Sequence, residues 1–373
     1  MKVLMISKAC LVGIYQRKLE ELARQPGVEL KVLVPPSWND RGGVVPLERT
    51  HSEGYDLAVT PIALNGNYHM HFYPGLRRHV RDFRPDIVHI DEEPYNLATW
   101  QAMRLAVAAG AKALFFTWQN LNRSYPPPFR WMQAYNYRHA AHAIAGNQDA
   151  ARVLRVKGFG HPIAVIPQFG VDPERFVPAK IQEEGGPFTI GFIGRMVPEK
   201  GVDLLLAAAA GLPGDWRLVY IGEGPARAGL ENKVREQGLD DRVEFHPRVP
   251  SVEMPAYLHR LHALALPSLT QPNWKEQFGR VLIEAMASGV PVLGSDSGEI
   301  PHVIGDAGLV FPEGDVDALR TALTRLRDDA ALREQLSDKG RARVLAQFTQ
   351  AQIAARTYQV YREMLETRVE SAD

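Results

Sequence analysis

The chain alternates short apolar runs with longer segments whose apolar residues recur at helical spacing. In the first half this pattern predicts strands near residues 3–6, 28–34, 86–90, 143–146 and 163–167. Helices are predicted at 14–24, 129–140 and 149–157, and another begins near Asn96. Because apolar strands alternate with helices, the order predicts βαβ units and a parallel sheet. The segment 35–61 lacks clear periodicity and is predicted as a loop or an irregular hairpin.

The second half repeats the same alternation. Six strands are predicted near residues 188–193, 216–222, 242–246, 263–266, 291–294 and 308–311, and helices lie between them. A length of 373 residues exceeds one ordinary core, so two domains are expected. No repeat of 20–50 residues is visible, which argues against a solenoid. The pattern therefore predicts an α/β protein with two doubly wound parallel sheets.

Composition narrows the classes of partner. Lys plus Arg and Asp plus Glu number 43 each, so no overall charge attracts nucleic acid. The one cysteine, Cys10, excludes an intramolecular disulfide and a cysteine-based zinc site, and it suits a reducing compartment. No apolar run approaches 18 residues, and Lys8 interrupts the first run too early for a signal peptide. A cytoplasmic protein is expected. A peripheral contact with the inner membrane face is the alternative, because the segment 69–81 is basic and aromatic.

The segment 276–284 reads as a polar loop that runs into a buried helix. Apolar residues at helical spacing follow Phe278 and Gly279, and the helix is predicted to begin there. The backbone N–H groups of Gly279, Arg280 and Val281 would then lack partners within the helix, which together with the helix dipole suits a phosphate group.

Two carboxylates flank that helix start. Glu276 lies in the loop and Glu284 lies inside the helix, where it would accept hydrogen bonds from sugar or ribose hydroxyls. The alternative is that both glutamates only favour the start of a helix, an effect of about 0.3–1 kcal/mol.

A strand, a basic loop and a helix precede this segment. The strand 188–194 ends in Gly194, and Arg195 and Lys200 follow in the loop before an Ala/Leu-rich helix. Cations at the carboxyl edge of a parallel sheet would neutralise a diphosphate, Arg as a planar fork and Lys as a point charge. Either residue alone would more often be a solvated surface charge.

Acidic and aromatic residues mark the corresponding edge of the first sheet. Asp91, Glu92 and Tyr95 follow the strand 86–90, at the edge where open α/β sheets bind ligands. The alternative is that these acids favour the dipole of the next helix. Trp118, Asn120 and Tyr125 occupy a later proline-rich loop, where aromatic faces and amides suit sugar recognition.

These motifs together resemble the retaining glycosyltransferases of family 4, which have the GT-B fold. The matching stretches are Gly194-Arg195-x4-Lys200-Gly201, Gly222-Glu223-Gly224-Pro225, Glu276-x-Phe278-Gly279-x4-Glu284-Ala285-Met286-Ala287-x-Gly289-x-Pro291-Val292 and Ser297-Gly298-Glu299-Ile300-Pro301. The resemblance is dense from about 188 to 315 and weak over the first 185 residues. It implies two Rossmann-like domains that face a central cleft.

The resemblance also implies domain boundaries. The acceptor-side domain would comprise residues 1–170, with the C-terminal helix 350–373 packing back onto it. A linker would follow at 171–187, and the donor-binding domain would span 188–349.

The resemblance assigns further residues to the donor. Arg248 and Val249 would border the nucleobase, and Gly13, Gly194 and Gly222 would lie near the donor, although the first loop keeps only Gly13 of the glycines expected there. The family often has a histidine where this chain has Asp91, so no catalytic histidine is carried over.

The implied reaction moves a hexose from a UDP- or GDP-sugar to an acceptor hydroxyl with retention at the anomeric carbon. Arg195 and Lys200 would neutralise the leaving diphosphate and Glu276 would hold the sugar, with no cofactor and no metal. The Asp315-x-Asp317 pair is interpreted as a helix cap, not as a metal motif. A sugar-nucleotide epimerase of the same fold and a non-catalytic nucleotide-sugar-binding protein remain as alternatives, and the oligomeric state is not predicted.

Overall fold

The computed structural model describes residues 1–40, 42–179 and 186–366. The chain forms two compact units, unit 1 with Met1–Gly170 and the segment from Gln350 onward, and unit 2 with Val171–Thr349. The interval predicted as a linker, 171–187, contains described residues up to 179 that belong to unit 2, and its residues 180–185 lie outside the described part. Residues 367–373 of the predicted C-terminal helix also lie outside it.

Unit 1 is built on a seven-stranded parallel sheet. The strands are β1 (Lys2–Ile6), β2 (Glu29–Val34), β5 (Asp56–Val59), β6 (Ile87–Ile90), β7 (Lys112–Thr117), β8 (His142–Ala145) and β9 (Ile163–Val165), and a separate antiparallel hairpin joins β3 (Ser37–Asp40) to β4 (Gly43–Pro46). Their order in the sheet is β5-β2-β1-β6-β7-β8-β9. The strand order therefore reverses between β1 and β6, which is the place where open α/β sheets bind ligands.

Helices cover both faces of this sheet. They are α1 (Arg17–Ala23), α2 (Leu76–Phe83), α3 (Leu97–Ala108), α4 (Phe129–His139), α5 (Gln148–Val156) and α13 (Gln350–Glu366). Side chains alternate along β1, so Leu4 and Ile6 join one core cluster, whereas Val3 and Met5 join another. The second cluster includes α13, and the Tyr361 hydroxyl of α13 lies 2.6 Å from His89 Nδ1. The last described helix thus closes one face of the first sheet.

Two predictions for unit 1 were wrong in detail. The segment 35–61 contains the hairpin β3–β4, as one of its two interpretations predicted, but it also contains β5, a four-residue edge strand in which only Leu57 is buried and which is too short to show a period. The helix predicted at 14–24 begins only at Arg17, after short 3-10 turns at Ala9–Leu11 and Gly13–Gln16. The buried Gln16 amide donates to the carbonyls of Cys10 and Glu48, which holds this irregular segment against its neighbour.

Unit 2 is built on a six-stranded parallel sheet. The strands are β10 (Phe188–Ile193), β11 (Trp216–Ile221), β12 (Val243–His246), β13 (Ala263–Leu266), β14 (Val292–Ser295) and β15 (Gly308–Phe311). Their order is β12-β11-β10-β13-β14-β15, so the reversal lies between β10 and β13. The helices are α6 (Val202–Ala210), α7 (Arg227–Glu236), α8 (Met254–Leu258), α9 (Arg280–Ala287), α10 (Ile300–Ile304), α11 (Val316–Asp328) and α12 (Ala330–Gln347). The fold-class prediction of two parallel-sheet α/β domains is confirmed.

Candidate active site

The reversal point of unit 2 brings two distant loops together. The loop after β10 ends in a 3-10 turn at Pro198–Lys200, and the loop after β13 leads to α9. The N–H of Leu269 in the second loop donates to the carbonyl of Glu199 in the first, at 2.8 Å. Because parallel strands end at the same edge, neighbouring loops meet there. This contact places Lys200 beside Glu276, 76 positions further along the chain.

Lys200 and Glu276 form a partly buried ion pair. The Lys200 ammonium lies 2.5 Å from Glu276 Oε2 and 5.1 Å from the centre of the Trp274 ring. Glu276 is only 6% exposed, and the Ser268 hydroxyl donates to the same oxygen at 2.8 Å. Its second oxygen, Oε1, takes part in none of these contacts. The pair therefore holds one cation in a fixed position and leaves one carboxylate oxygen for a further hydrogen bond.

Helix α9 begins beside this pair, as the sequence predicted. Gly279 precedes it with φ +75°, a left-handed conformation that glycine adopts without strain, and a side chain there would meet Leu266. The first-turn N–H groups of such a helix have no acceptor within it. Val281 is half-buried, whereas Phe278 is buried and packs edge-on against Phe348, so Phe278 supports the loop.

Glu284 has a partner within its own helix. Arg280 Nε lies 2.8 Å from Glu284 Oε1, one helical turn away. Burial raises the pKa of the Glu284 carboxyl, and the Arg280 guanidinium opposes that rise. The predicted contact of Glu284 with a ribose stays a prediction, and it would require a hydroxyl to share this carboxylate with Arg280.

The remaining donor-side residues differ in exposure. Arg195 and Arg248 are exposed and Val249 is buried. In unit 1, the Gly13 N–H donates to Glu48 Oε2 at 2.6 Å, and a side chain at Gly13 would meet Thr50. Gly13 thus packs against a neighbouring segment, and its contact with a donor stays a prediction.

Gly194 and Gly222 hold the loops after β10 and β11 against each other. A Cβ at Gly222, where φ is +141°, would lie 2.0 Å from the carbonyl oxygen of Gly194. The Gly222 N–H also donates to His246 O at 3.1 Å. The close approach shows why glycine is needed at 222, whatever else it contacts.

Gly222→Ala is therefore expected to destabilise unit 2 by about 1–3 kcal/mol through overpacking against backbone. Hydrogen exchange of the β10 and β11 amides would measure the loss. The matched control is Gly229→Ala in α7, where an added Cβ meets nothing within 4 Å and which should be neutral or stabilising. Equal exchange rates in the two variants would contradict the steric explanation.

Unit 1 contains a cavity of about 300 Å³ at its own reversal point. We call it the β1–β6 cavity, since loops after these strands line it; the lining residues are Lys8, Ala9, Leu11, Val12, Tyr15, Trp38, Asp40, Val45, Tyr68, Asp91, Glu92, Glu93, Phe116, Trp118 and Gln168. Three of the acceptor-side candidates therefore line it, Asp91, Glu92 and Trp118.

The other three acceptor-side candidates are not among the lining residues. Tyr95 and Tyr125 stack on each other with ring centres 4.2 Å apart, and the His69 ring packs against both. Asn120 is buried. The contacts of Tyr125 with Tyr95 and His69 therefore support the proline-rich loop.

Neutral donors hold Asp91 in place. The Ser7 hydroxyl donates to Asp91 Oδ2 at 2.5 Å, and the Gln168 amide donates to Oδ1 at 2.9 Å. Gln168 in turn accepts from the Trp118 indole N–H at 2.9 Å. Sequence reasoning missed Gln168, which lies in the segment after β9 and reaches this site only through the tertiary fold.

Glu92 and Glu93 are adjacent in the sequence, but their pKa values shift in opposite directions. Burial disfavours the charged form of Glu92, but Lys8 and His71 outweigh it and lower its pKa to about 2. Burial raises the pKa of Glu93 to about 7, although its oxygens accept from the Thr117 hydroxyl at 2.6 Å and the Trp118 N–H at 2.8 Å. Glu93 follows Glu92 directly but was not among the predicted site residues, because adjacent acids look alike in a sequence.

Glu93→Gln is expected to change how stability depends on pH. The unfolded chain releases this proton near pH 4.5, whereas the folded chain holds it to about pH 7. The wild type should therefore lose up to about 3 kcal/mol of stability as the pH rises through this range, and the Gln variant should lack that loss. Urea unfolding at about pH 4.5 and pH 8 measures it, with the exposed Glu29→Gln as control. The same pH slope in Glu93→Gln and wild type would contradict the assignment.

The described ranges also bear on metal binding and on membrane spans. No group of three or more His, Cys, Asp or Glu side chains there could hold a metal ion. The Asp315 side chain accepts from the Ala318 N–H at the start of α11, which confirms its interpretation as a cap. Among the same residues, no helix has the length and apolarity needed to cross a membrane.

Comparison with known proteins matches both halves of the chain to family models. Residues 12–168 match the glycosyl transferase 4-like domain, and residues 174–343 match glycosyl transferases group 1. The chain is 30% identical over 236 residues to a 2-deoxystreptamine glucosyltransferase of Streptomyces kanamyceticus, an alignment that covers 59% of each chain. It spans about half the length of several other curated relatives.

Other similarities extend over nearly the whole chain. A phosphatidyl-myo-inositol mannosyltransferase of Mycobacterium leprae is 28% identical over 362 residues, which cover 92% of this chain and 90% of the relative. The solved structure of HepE from Anabaena in complex with UDP has a TM-score of 0.73 at 16% identity and covers 97% of this chain and 100% of its own. At that identity the likeness shows the fold.

Proposed function

Because the chain belongs to the group 1 glycosyl transferases and carries a glycosyl transferase 4-like domain in its first half, we propose that it moves a hexose from a nucleoside-diphosphate sugar to an acceptor hydroxyl. The transfer would proceed with retention at the anomeric carbon. Relatives named as mannosyl- and glucosyltransferases favour a UDP- or GDP-sugar donor, and UDP is bound in HepE. The product would enter glycan, glycolipid or cell-surface polysaccharide synthesis.

The observation that carries this proposal is the Lys200–Glu276 pair at the reversal point of unit 2. A buried carboxylate fixes the ammonium at the sheet edge, and helix α9 begins just beyond it. The hardest part of the reaction is the negative charge that develops on the departing diphosphate. Preorganised cations and N–H groups stabilise such charge without reorganising during the step.

Each residue near the pair has a distinct proposed role. Lys200 and the exposed Arg195 would neutralise the diphosphate, with the N–H groups of residues 279–281 at the helix start. Glu276 would accept a hydrogen bond from a sugar hydroxyl through Oε1. Glu284 would hold the ribose, and Arg248 and Val249 would border the base. The leaving phosphate would take the acceptor proton on the same face, so no side-chain base is required.

The proposal includes turnover without a metal ion, since Arg195 and Lys200 supply the positive charge. It also includes a cytoplasmic location, where nucleotide sugars are made and where the single Cys10 thiol would stay reduced. Chelation with EDTA is expected to leave the rate unchanged, and cell fractionation would test the location.

The test uses the whole chain with labelled UDP- and GDP-hexoses. Release of nucleoside diphosphate together with a labelled, larger product would support transfer, and NMR of the new anomeric centre would distinguish retention from inversion. Donor binding without release would favour the non-catalytic alternative. Conversion of the free donor into an epimer would favour the epimerase.

A further inference from the structure

Aromatic rings and carboxyl groups both line the β1–β6 cavity. Five aromatic rings line it, from Tyr15, Trp38, Tyr68, Phe116 and Trp118. Four carboxyl groups line it as well, from Asp40, Asp91, Glu92 and Glu93, against a single ammonium group, that of Lys8. A neutral sugar would use these carboxyl groups only as hydrogen-bond acceptors, whereas an ammonium group would also neutralise their charge. The combination of rings and carboxyl groups favours a ligand that carries positive charge.

Lys8 shows how the cavity receives an ammonium group. Its Nζ pairs with Glu92 and lies 5.5 Å from the centre of the Trp38 ring. A carboxylate and an aromatic face together stabilise a cation by charge-assisted hydrogen bonding and by attraction to the ring quadrupole. The protein therefore already uses this chemistry within the lining of the cavity.

Two carboxyl groups of the cavity keep only neutral partners among the described residues. Asp91 accepts from a hydroxyl and an amide, and Glu93 accepts from a hydroxyl and a backbone N–H. Three lysines of this unit have other partners: Lys8 pairs with Glu92, Lys18 donates to the carbonyl of Gln168, and Lys157 donates to Gln119 and to the carbonyl of Arg123. Burial raises the pKa of Glu93, which is the shift expected of a buried carboxyl group that has no cation as a direct partner.

We propose that the β1–β6 cavity binds an acceptor that carries a protonated amine, such as an amino sugar or an aminocyclitol, with the ammonium group at Asp91 and Glu93. The aromatic side chains of the lining would cover the C–H faces of the ligand's ring. A volume of about 300 Å³ lies at the small end of ligand sites and suits one such ring. The role of this ligand as an acceptor rests on the proposed function, whereas the binding of an amine in the cavity does not.

The binding test compares three sugars that differ at one position. Glucosamine, N-acetylglucosamine and glucose would be titrated into the whole chain by calorimetry, at neutral pH and without nucleotide. Glucosamine should bind roughly tenfold or more tightly than either neutral sugar, the factor expected for one charge-assisted hydrogen bond. Equal affinities, or no glucosamine binding at millimolar concentration, would overturn the proposal.

Variants locate the amine. Asp91→Asn and Glu93→Gln keep the size of each side chain but remove its negative charge, and the double variant should lose the preference for glucosamine. Asp149→Asn on α5, away from the cavity lining, should keep it. Unchanged amide hydrogen exchange of β1 and β6 would show that unit 1 is folded in each variant. A preference that survives in the double variant would overturn the site.

The outcomes also separate this inference from the proposed function. Amine-selective binding without transfer from any UDP- or GDP-hexose would leave the cavity assignment standing and reject the glycosyltransferase proposal. Transfer to neutral acceptors with no amine preference would support the glycosyltransferase proposal and reject the cavity assignment.

Discussion

Lys200→Ala is expected to lower the rate of sugar transfer by about 10²–10³-fold, the usual effect of removing one preorganised donor to a developing negative charge. Lys200 supplies the ammonium group at the reversal point of the second sheet, and its side chain is only 19% exposed. Water cannot fully replace a cation in such a place, because the ion pair with Glu276 and the Trp274 ring hold it in position beforehand. Steady-state kinetics would show the loss in kcat.

The matched control is Lys233→Ala. Lys233 also belongs to unit 2 and also forms an ion pair, at 2.6 Å from Asp203, but its side chain is 50% exposed on α7. The two variants remove the same charge, so a loss confined to Lys200→Ala identifies position and not net charge as the cause. Normal turnover in Lys200→Ala would overturn the donor-site assignment.

Lys200→Ala also has an expected cost in stability. It leaves the buried Glu276 carboxylate without its cation, which costs about 1–3 kcal/mol in comparable cases. Thermal unfolding should therefore show a modest decrease that a second substitution, Glu276→Ala, partly reverses. Activity should not recover in the double variant, which separates the stability effect from the catalytic one.

Glu276→Ala is the second change with a large expected effect, a loss of most turnover with the fold retained. The substitution removes the hydrogen-bond acceptor proposed for the sugar hydroxyl and also releases Lys200 from its fixed position. Both effects act on the reacting part of the donor, so a combined loss of about 10²–10³-fold is expected. Kinetics with a varied donor concentration would separate kcat from KM.

Glu276→Gln refines this prediction. The amide keeps one acceptor oxygen, for either Ser268 or a sugar hydroxyl, and it no longer carries the charge that holds Lys200. Activity between that of wild type and Glu276→Ala would indicate that both roles contribute. Glu231→Gln, an exposed residue paired with Arg227, is the control, and its kinetics should match the wild type. Wild-type rates in both Glu276 variants would contradict the assignment.

Several site features could be predicted because they depend on neighbours in the chain. The strand before Gly194, the basic loop with Lys200 and the helix after Gly279 were all visible as local patterns, and the structure places them close to the predicted positions. The contact between Lys200 and Glu276 was not visible as such. It depends on β10 and β13 being neighbours in the sheet, which no local pattern shows.

The chemistry of the first unit was harder to predict for the same reason. Lys8 and Glu92 meet across 84 positions because β1 and β6 are adjacent strands. Glu92 and Glu93 are consecutive in sequence, yet one carboxyl gains a cation and the other gains only neutral donors. Their opposite pKa shifts therefore follow from side-chain direction and burial, which the sequence does not display.

The sequence by itself determined the two alternating α/β halves, most strand positions and the loops that carry the charged residues, because hydrophobic period and turn residues act over a few positions. The tertiary structure decided which loops meet. It paired Lys200 with Glu276, drew Gln168 to Asp91 and placed the final described helix against His89. Those contacts join residues 76, 77 and 272 positions apart, and they depend on strand order and on how loops and α13 pack against the sheet, which act over distances that no local pattern covers.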